Sequence, residues 1–215
     1  PTTLSVDIET MIRHGRAVAR CAKQAMVVVD MPFGSYQVSP EQAFQNAARI
    51  MSETNCDAVK LEGGSEMAST VSFLTSRGVP VIGHIGMQPQ SVQAYGGFKV
   101  QGKTKSSYDH IMKAASDLED AGAFSLVLEC VTEDLAYDVT SQVSIPVIGI
   151  GASSCCDGQI LVTEDLLGLS TGSVPKFVKQ YDALQERIKE ACGTYAKDVK
   201  ERHFPFEEHV YKKAS

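Results

Sequence analysis

The chain has 215 residues and a formal net charge of −6, with 43% hydrophobic and 21% charged residues. These values are typical of a soluble globular protein long enough for one large domain. The acidic balance, with no basic tract, argues against a nucleic-acid partner, and the longest apolar runs, such as 27–29, are too short to span a membrane. Six cysteines without C-x-x-C spacing predict reduced thiols in a cytoplasmic protein, not a zinc cluster or a disulfide framework.

Helical and strand patterns alternate along the chain. Ser5 can cap a first amphipathic helix, and Ser39, Pro40 and Gln42 form a capping-box start for a second one. The later predicted helices are 65–77, a helix from Ser106 or Ser107 to Gly122, a short one capped at 132–134, and a long one from Pro175 to Val199. The predicted strands are 25–29 ending in Asp30, 59–62, 79–83 leading into His84, 124–128 ending in Glu129, and 145–150, with 160–162 as a candidate last strand.

Nearly continuous apolar strands alternating with helices predict a parallel sheet covered by helices. Two architectures fit this order, an open doubly wound sheet and a (β/α)8 barrel. Four side chains lie at the C-terminal ends of four different predicted strands: Asp30, Glu62, His84 and Glu129. Barrel enzymes place their catalytic groups in this way, whereas an open sheet concentrates its site near one switch point. The barrel therefore explains more, although only about six strands are present and such a piece leaves open edges.

Lys60 and Glu62 are two residues apart on one strand, so they share one of its faces, and Gly63 and Gly64 leave room beside them. This pair is either a ligand site or a structural ion pair on an edge strand. Asp30 follows three valines, and its carboxylate suits a hard cation such as Mg²⁺ or a local backbone N–H.

Glu129 follows an apolar strand, where burial can raise its pKa toward that of a general base. The alternative for Glu129 is a buried ion pair, for example with Lys60. His84 is a candidate ligand or acid, and a hydrogen-bonded core histidine is an equally good interpretation. The connection over 87–105 is long enough to be functional, whereas the glycines of 149–152 lack the third glycine of a dinucleotide-binding loop.

Several motifs in order along the whole chain resemble those of the ketopantoate hydroxymethyltransferase family. They are Asp30-Met31-Pro32-Phe33, Val59-Lys60-Leu61-Glu62-Gly63-Gly64, Gly83-His84-Ile85-Gly86, the segment 96–102, Leu128-Glu129-Cys130-Val131, 148–152, 156–159, 175–179 and the end segment with Phe204-Pro205 and Glu208-His209. Together they are far more specific than any one of them.

The resemblance implies a (β/α)8 TIM barrel of the phosphoenolpyruvate/pyruvate type, in a cytoplasmic homodecamer. It implies transfer of a one-carbon unit from 5,10-methylenetetrahydrofolate to 3-methyl-2-oxobutanoate, giving 2-dehydropantoate for pantothenate and coenzyme A synthesis through a Mg²⁺-stabilised enolate. By the same resemblance, Asp30 binds both Mg²⁺ and the keto acid, Lys60 binds the keto acid, Glu62 belongs to the metal shell and Glu129 is the catalytic proton acceptor. His84 is a candidate supporting residue.

The chain departs from the family pattern in two places. The family's first two strands, with a Gly-Asp-Ser motif, are not found, so residues 1–215 are expected to form a single barrel domain from strands 3 to 8 and the C-terminal helices. About 50 further residues are expected before Pro1, from the usual size of two βα units. Ser153 stands where the family usually has glycine.

Two other functions remain open from the sequence. Another Mg²⁺-enolate barrel enzyme, such as a carbon–carbon lyase acting on a 2-oxo acid, would use Asp30 and Glu62 without folate. A non-catalytic barrel would bind the keto acid without turnover.

Overall fold

The structure is a computed structural model that describes residues 3–172 and 174–213. The chain divides into two compact units, one ending at Ile160 and the other starting at Leu161. None of the described helices is both long enough and apolar enough to cross a membrane. The six cysteines all lie among the described residues and are free thiols.

The first unit is built on a parallel sheet. Its strands are β1 (Val28–Asp30), β2 (Ala58–Glu62), β3 (Val81–Gly86), β4 (Ser125–Glu129), β5 (Val147–Ile150) and β6 (Gly158–Gln159). They pair in the order β1-β2-β3-β4-β5-β6, every neighbour parallel. A doubly wound sheet would reverse its order at a switch point, so this sequential order agrees with the expectation of an α/β fold and with the count of six strands, and not with the doubly wound alternative.

The first unit contains the helices α1 (Ile8–Cys21), α2 (Pro40–Thr54), α3 (Ala68–Thr75), α4 (Val92–Tyr95), α5 (Lys105–Asp120) and α6 (Glu133–Gln142), with 3₁₀ turns at Thr3–Ser5, Ser65–Met67 and Pro89–Ser91. In this unit, α1 precedes β1, and the other helices lie in the connections from β1 to β5. The second unit contains α7 (Thr163–Leu166), α8 (Leu184–Lys200) and a 3₁₀ turn at Glu207–His209. The predicted helix over 65–77 is therefore a 3₁₀ turn followed by α3.

The cap of the second helix was predicted correctly, and the cap of the first was not. The Ser39 hydroxyl accepts a hydrogen bond from the Gln42 N–H, which satisfies one of the free donors at the start of α2. At α1 the cap is Asp7, whose carboxylate accepts from the Thr10 N–H at 2.8 Å. Ser5 instead ends the 3₁₀ turn that precedes α1.

Two predicted elements near the end of the chain are wrong. The sixth strand is β6 (Gly158–Gln159) and not 160–162, and Val162 is the N-cap of α7. The last helix begins at Leu184 and not at Pro175. The backbone N–H of Tyr181 donates to the Leu166 carbonyl, and that of Leu184 donates to the Leu167 carbonyl, at the end of α7. These two N–H groups therefore do not form the i to i−4 hydrogen bonds of a helix that starts at Pro175.

Apolar side chains from the strands and from α2, α3, α5 and α6 form one buried core. Its fully buried members include Val59, Leu61, Leu74, Leu118, Leu126, Leu128 and Leu135. Each such side chain contributes about 1.5–3 kcal/mol to folding. This core fixes the strands, and with them the positions of the polar groups at the strand ends.

Gly86 allows the end of β3 to approach β4 closely. Its φ is +92°, and a Cβ atom added there would lie 2.2 Å from the Glu129 carbonyl oxygen. The next residue, Met87, donates its N–H to that same carbonyl at 2.8 Å. A side chain at residue 86 would therefore disturb the backbone of Glu129.

We expect Gly86→Ala to lower the free energy of unfolding by about 2 kcal/mol or more beyond the loss in Gly34→Ala, because overpacking adds to backbone strain. Gly34 is the matched control, since its φ is +84° but no atom lies within 4 Å of an added Cβ. Urea denaturation measures both variants. Equal losses in the two would show that the approach of β3 to Glu129 is not tightly constrained.

Candidate active site

Five ionisable side chains lie on four adjacent strands, at or near their carboxyl ends. Asp30 ends β1, Lys60 and Glu62 lie on β2, His84 lies on β3, and Glu129 ends β4. The register pairs Asp30 with Lys60 and Glu62 with His84. His84 was expected just beyond its strand, but β3 continues to Gly86 and includes it.

Three short contacts connect four of these groups in a row across the sheet. The Lys60 ammonium lies 2.8 Å from Asp30 Oδ2 and 3.2 Å from His84 Nδ1. His84 Nε2 lies 3.1 Å from Glu129 Oε2. Within the described residues, Lys60 forms its ion pair with Asp30 and not with Glu62 or Glu129, and β2 is an interior strand, so the alternatives of an edge-strand pair and a direct Lys60–Glu129 pair do not match the structure.

His84 is an uncharged imidazole in this arrangement. It is 2% exposed, and burial, followed by the positive charge of Lys60, lowers the pKa of His84 well below its usual value. An ammonium can only donate, so Nδ1 must be the acceptor and Nε2 must carry the hydrogen. Nε2 has no aligned hydrogen-bond partner among the described residues. Glu129 Oε2 lies 3.1 Å from it, and the Met87 backbone near the imidazole acts in the opposite direction to burial by raising the pKa of His84.

Burial raises the pKa of Glu129 to about 7, with the charge of Lys60 opposing the rise and that of Asp30 adding to it. The side chain of Glu129 is only 13% exposed. A carboxyl group with this pKa is present in both protonation states near neutral pH, which is the property of a general base. The burial and the raised pKa of Glu129 agree with the sequence expectation, and its role as a base stays a prediction.

Glu62 is held by a buried polar network that the sequence analysis missed. Its Oε2 accepts from the Gln90 N–H at 2.9 Å, and the Tyr36 hydroxyl accepts from the Glu62 N–H at 3.2 Å while donating to Gln90 Oε1 at 2.7 Å. The Gln90 amide also donates to the Met31 carbonyl. Burial is the main cause that raises the pKa of Glu62 to about 7. Tyr36 and Gln90 lie in connections without periodicity, and nothing in their sequence context indicates that they meet.

The residues present fit part of a Mg²⁺ site. Asp30 Oδ1 is buried and has no hydrogen-bond partner among the described residues, so it is free to accept a cation. In the same described part of the chain, no group of three or more His, Cys, Asp or Glu side chains is arranged to hold a metal. Mg²⁺ usually keeps several waters and takes one or two carboxylates together with substrate oxygens, and one free carboxylate oxygen is compatible with that.

The long connection after β3 returns to the end of β4. It contains the 3₁₀ turn and α4, and the Gln101 N–H then donates to the Cys130 carbonyl at 2.8 Å. Gln101 also forms a parallel bridge with Val131. The connection is therefore anchored directly beside Glu129.

Fold and site together define an α/β protein with a cluster of ionisable side chains at or near the carboxyl ends of parallel strands. The family model described as ketopantoate hydroxymethyltransferase matches residues 1–207. The chain is 57% identical over 211 residues to the 3-methyl-2-oxobutanoate hydroxymethyltransferase of Bartonella quintana, covering 98% of this chain and 76% of that protein. It is 54% identical over 214 residues to 3-methyl-2-oxobutanoate hydroxymethyltransferase 2 of Zymomonas mobilis, covering 100% of this chain and 78% of that protein.

The chain belongs to the ketopantoate hydroxymethyltransferase family, which confirms the resemblance seen in its motifs. Among solved structures it is similar to a putative lyase/mutase from Burkholderia cenocepacia, with 16% identity and a TM-score of 0.48 over 97% of this chain and 73% of that one.

We expect the wild-type chain to lose free energy of unfolding when the pH is raised from 5 to 8. This loss should exceed the loss in Glu129→Gln by about 1–3 kcal/mol. The pKa of Glu129 is about 7 in the folded chain and about 4.3 in an unfolded one. Between these values the folded state binds the proton more tightly, so stability is lost as the pH rises. Urea denaturation at both pH values, without added metal, measures the difference, and parallel pH dependences would contradict it.

Proposed function

We propose that this protein transfers a one-carbon unit from 5,10-methylenetetrahydrofolate to 3-methyl-2-oxobutanoate, giving 2-dehydropantoate in pantothenate and coenzyme A biosynthesis. The observation that carries the proposal is Glu129, a carboxyl group with a pKa of about 7, in one row of contacts with the Lys60 ammonium and a free Asp30 oxygen. The names of the family and of its relatives supply the substrate.

The chemical difficulty is the removal of a proton from the carbon next to a ketone. Glu129 is the proposed base that takes this proton from C3 of the keto acid. Negative charge then develops on the keto oxygen. Lys60, already held by Asp30 and His84, supplies a fixed positive charge that stabilises the oxyanion.

Asp30 and Glu62 are the residues that would hold Mg²⁺ in this site, with Asp30 Oδ1 as the free ligand oxygen. When bound, Mg²⁺ would withdraw electron density from the keto oxygen and so make the neighbouring C–H bond more acidic. Asp30 would also contact the keto acid. Glu62 is kept in place by the Gln90 N–H, which limits its rotation in this site.

Water adds to the methylene carbon of the folate and both of its C–N bonds break, so that the water hydrogens go to the two nitrogens and tetrahydrofolate leaves a formaldehyde equivalent. The nucleophilic C3 then forms a bond to this carbon, and the alkoxide that results takes the proton held by Glu129 to become the hydroxyl group of the product. The connection over 87–105 is proposed to exclude other water while this occurs, and its attachment beside Glu129 supports that role.

The six strands are proposed to be strands 3 to 8 of a (β/α)8 barrel of the phosphoenolpyruvate/pyruvate type, in a single domain that also includes the C-terminal helices. Within the described residues, β1 pairs only with β2 and β6 only with β5, so each has a free edge that a further strand could cover. The family resemblance further supports a cytoplasmic homodecamer with no nucleic-acid or membrane partner.

A turnover assay with and without methylenetetrahydrofolate tests the proposal as a whole. Formation of 2-dehydropantoate only when both substrates are present is the expected result. Cleavage of a 2-oxo acid without folate would indicate a lyase instead. Binding of 3-methyl-2-oxobutanoate without turnover, measured by isothermal titration, would indicate a non-catalytic protein.

We expect Glu129→Gln to lower turnover by about 10²- to 10⁴-fold while leaving keto acid binding nearly intact, because the amide keeps the shape and cannot act as a base. The exchange of the C3 proton with deuterated water, followed by NMR, should fall equally. Wild-type exchange in this variant would show that Glu129 is not the base.

We expect Asp30→Asn to weaken Mg²⁺ binding and, through it, keto acid binding, since an anionic oxygen ligand is lost. Lys60→Ala should weaken the keto acid but spare the metal. Titrations with Mg²⁺ alone and with the keto acid separate the two effects. Unchanged Mg²⁺ affinity in Asp30→Asn would remove Asp30 from the metal site.

A further inference from the structure

His84 contacts both the cation and the base of the proposed reaction. Its Nδ1 lies 3.2 Å from the Lys60 ammonium, and its Nε2 lies 3.1 Å from Glu129 Oε2. No other described side chain forms a hydrogen bond or an ion pair with Lys60 and also with Glu129. The imidazole is therefore the link between the site that binds the keto acid and the site that takes its proton.

The two nitrogens of His84 have different roles because each has a different neighbour. Nδ1 faces an ammonium, which can only donate, so Nδ1 must be unprotonated. Nε2 is buried and forms no aligned hydrogen bond with the described residues, and it lies 3.1 Å from a Glu129 oxygen that can accept its hydrogen. The Met87 backbone is the other polar group that acts on the imidazole, and its effect on the pKa of His84 is the smallest of the causes. A charged imidazole would direct an N–H at the ammonium, which lies 3.2 Å from Nδ1, nearer than Glu62 Oε1 at 3.9 Å, so this repulsion opposes the charged form.

We propose that His84 is a positioning residue that holds the Lys60 ammonium through Nδ1 and Glu129 Oε2 through Nε2–H, leaving Glu129 Oε1 to take the substrate proton. This inference rests on the proposed function. Oε1 has no hydrogen-bond partner among the described residues, so it is available. As the C3–H bond breaks, the O–H bond forms at Oε1 and the electron pair moves to the keto oxygen beside Lys60. His84 neither gains nor loses a proton in this step.

The contact with Glu129 is short but not yet aligned as a hydrogen bond. Catalytic hydrogen bonds commonly tighten only when the substrate is bound. Binding of the keto acid would thus fix the base and the cation together.

Two substitutions separate the two halves of this role. The amide of His84→Asn lies at the level of Nδ1, and that of His84→Gln lies at the level of Nε2. We expect His84→Asn to keep the KM for the keto acid close to wild type and to lower kcat and C3-proton exchange by about 10- to 100-fold, the usual effect of a lost hydrogen bond to a charged group. We expect His84→Gln to raise KM by a similar factor and to affect kcat less.

The control is Ile85→Val, which removes one methyl group from the neighbouring buried position of the same strand. It should leave kcat and KM unchanged, and its melting temperature shows what lost packing alone does. Equal losses of kcat and 1/KM in both His84 variants, or wild-type behaviour in both, would overturn the inference. An inactive wild-type chain would overturn the proposed function and the inference with it, so the two failures are distinguishable.

A spectroscopic test needs no substitution to be active or folded. In wild-type protein labelled with ¹⁵N-histidine, the His84 signals should show an unprotonated Nδ1 and a protonated Nε2. The His84 variants assign these signals if they fold, and couplings to neighbouring residues assign them otherwise. A proton on Nδ1 would overturn the inference.

Discussion

The Lys60 ammonium is the charge on which the rest of the site depends. Its side chain is mostly buried, and a buried ammonium is costly unless it is paired and hydrogen-bonded. Asp30 supplies the negative charge and His84 supplies a second acceptor, which requires the imidazole to be neutral. Because Lys60 also opposes the rise in the pKa of Glu129, the same ammonium limits how strongly the carboxyl group at the end of β4 holds a proton.

In the parallel sheet, residues that are far apart along the chain lie next to each other on neighbouring strands. Its strands follow one another in sequence order, so each strand-end group meets the group from the strand before it. The rigid core beneath the strands keeps these positions, while Gly86 lets the backbone of β3 reach the Glu129 carbonyl. A site assembled in this way tolerates variation in the helices more readily than variation at the ends of the strands.

The sequence predicts most of the strands well, because apolar runs indicate buried segments and glycines mark where many of the helices and strands end. It also predicts that Asp30, Glu62, His84 and Glu129 lie at one edge of the sheet. It does not reveal that His84 lies between Lys60 and Glu129, since this depends on side-chain direction. Tyr36 and Gln90 were missed because loop residues carry no period, and the start of α8 was misplaced because backbone bonds to α7 override an apolar spacing. The pattern alone offered Asp30 as a cation ligand and Glu129 as a base, each beside an alternative, and the family resemblance selected among these roles.

The row of contacts across the sheet also sets an order in which the site is completed during protein synthesis. Asp30 precedes Lys60 by 30 residues, and His84 follows it by 24. As the chain leaves the ribosome, the ammonium therefore has its anionic partner first, its neutral acceptor next, and the base on β4 last. The carboxyl group proposed to do the chemistry joins a charge arrangement that the nascent chain has already been able to balance.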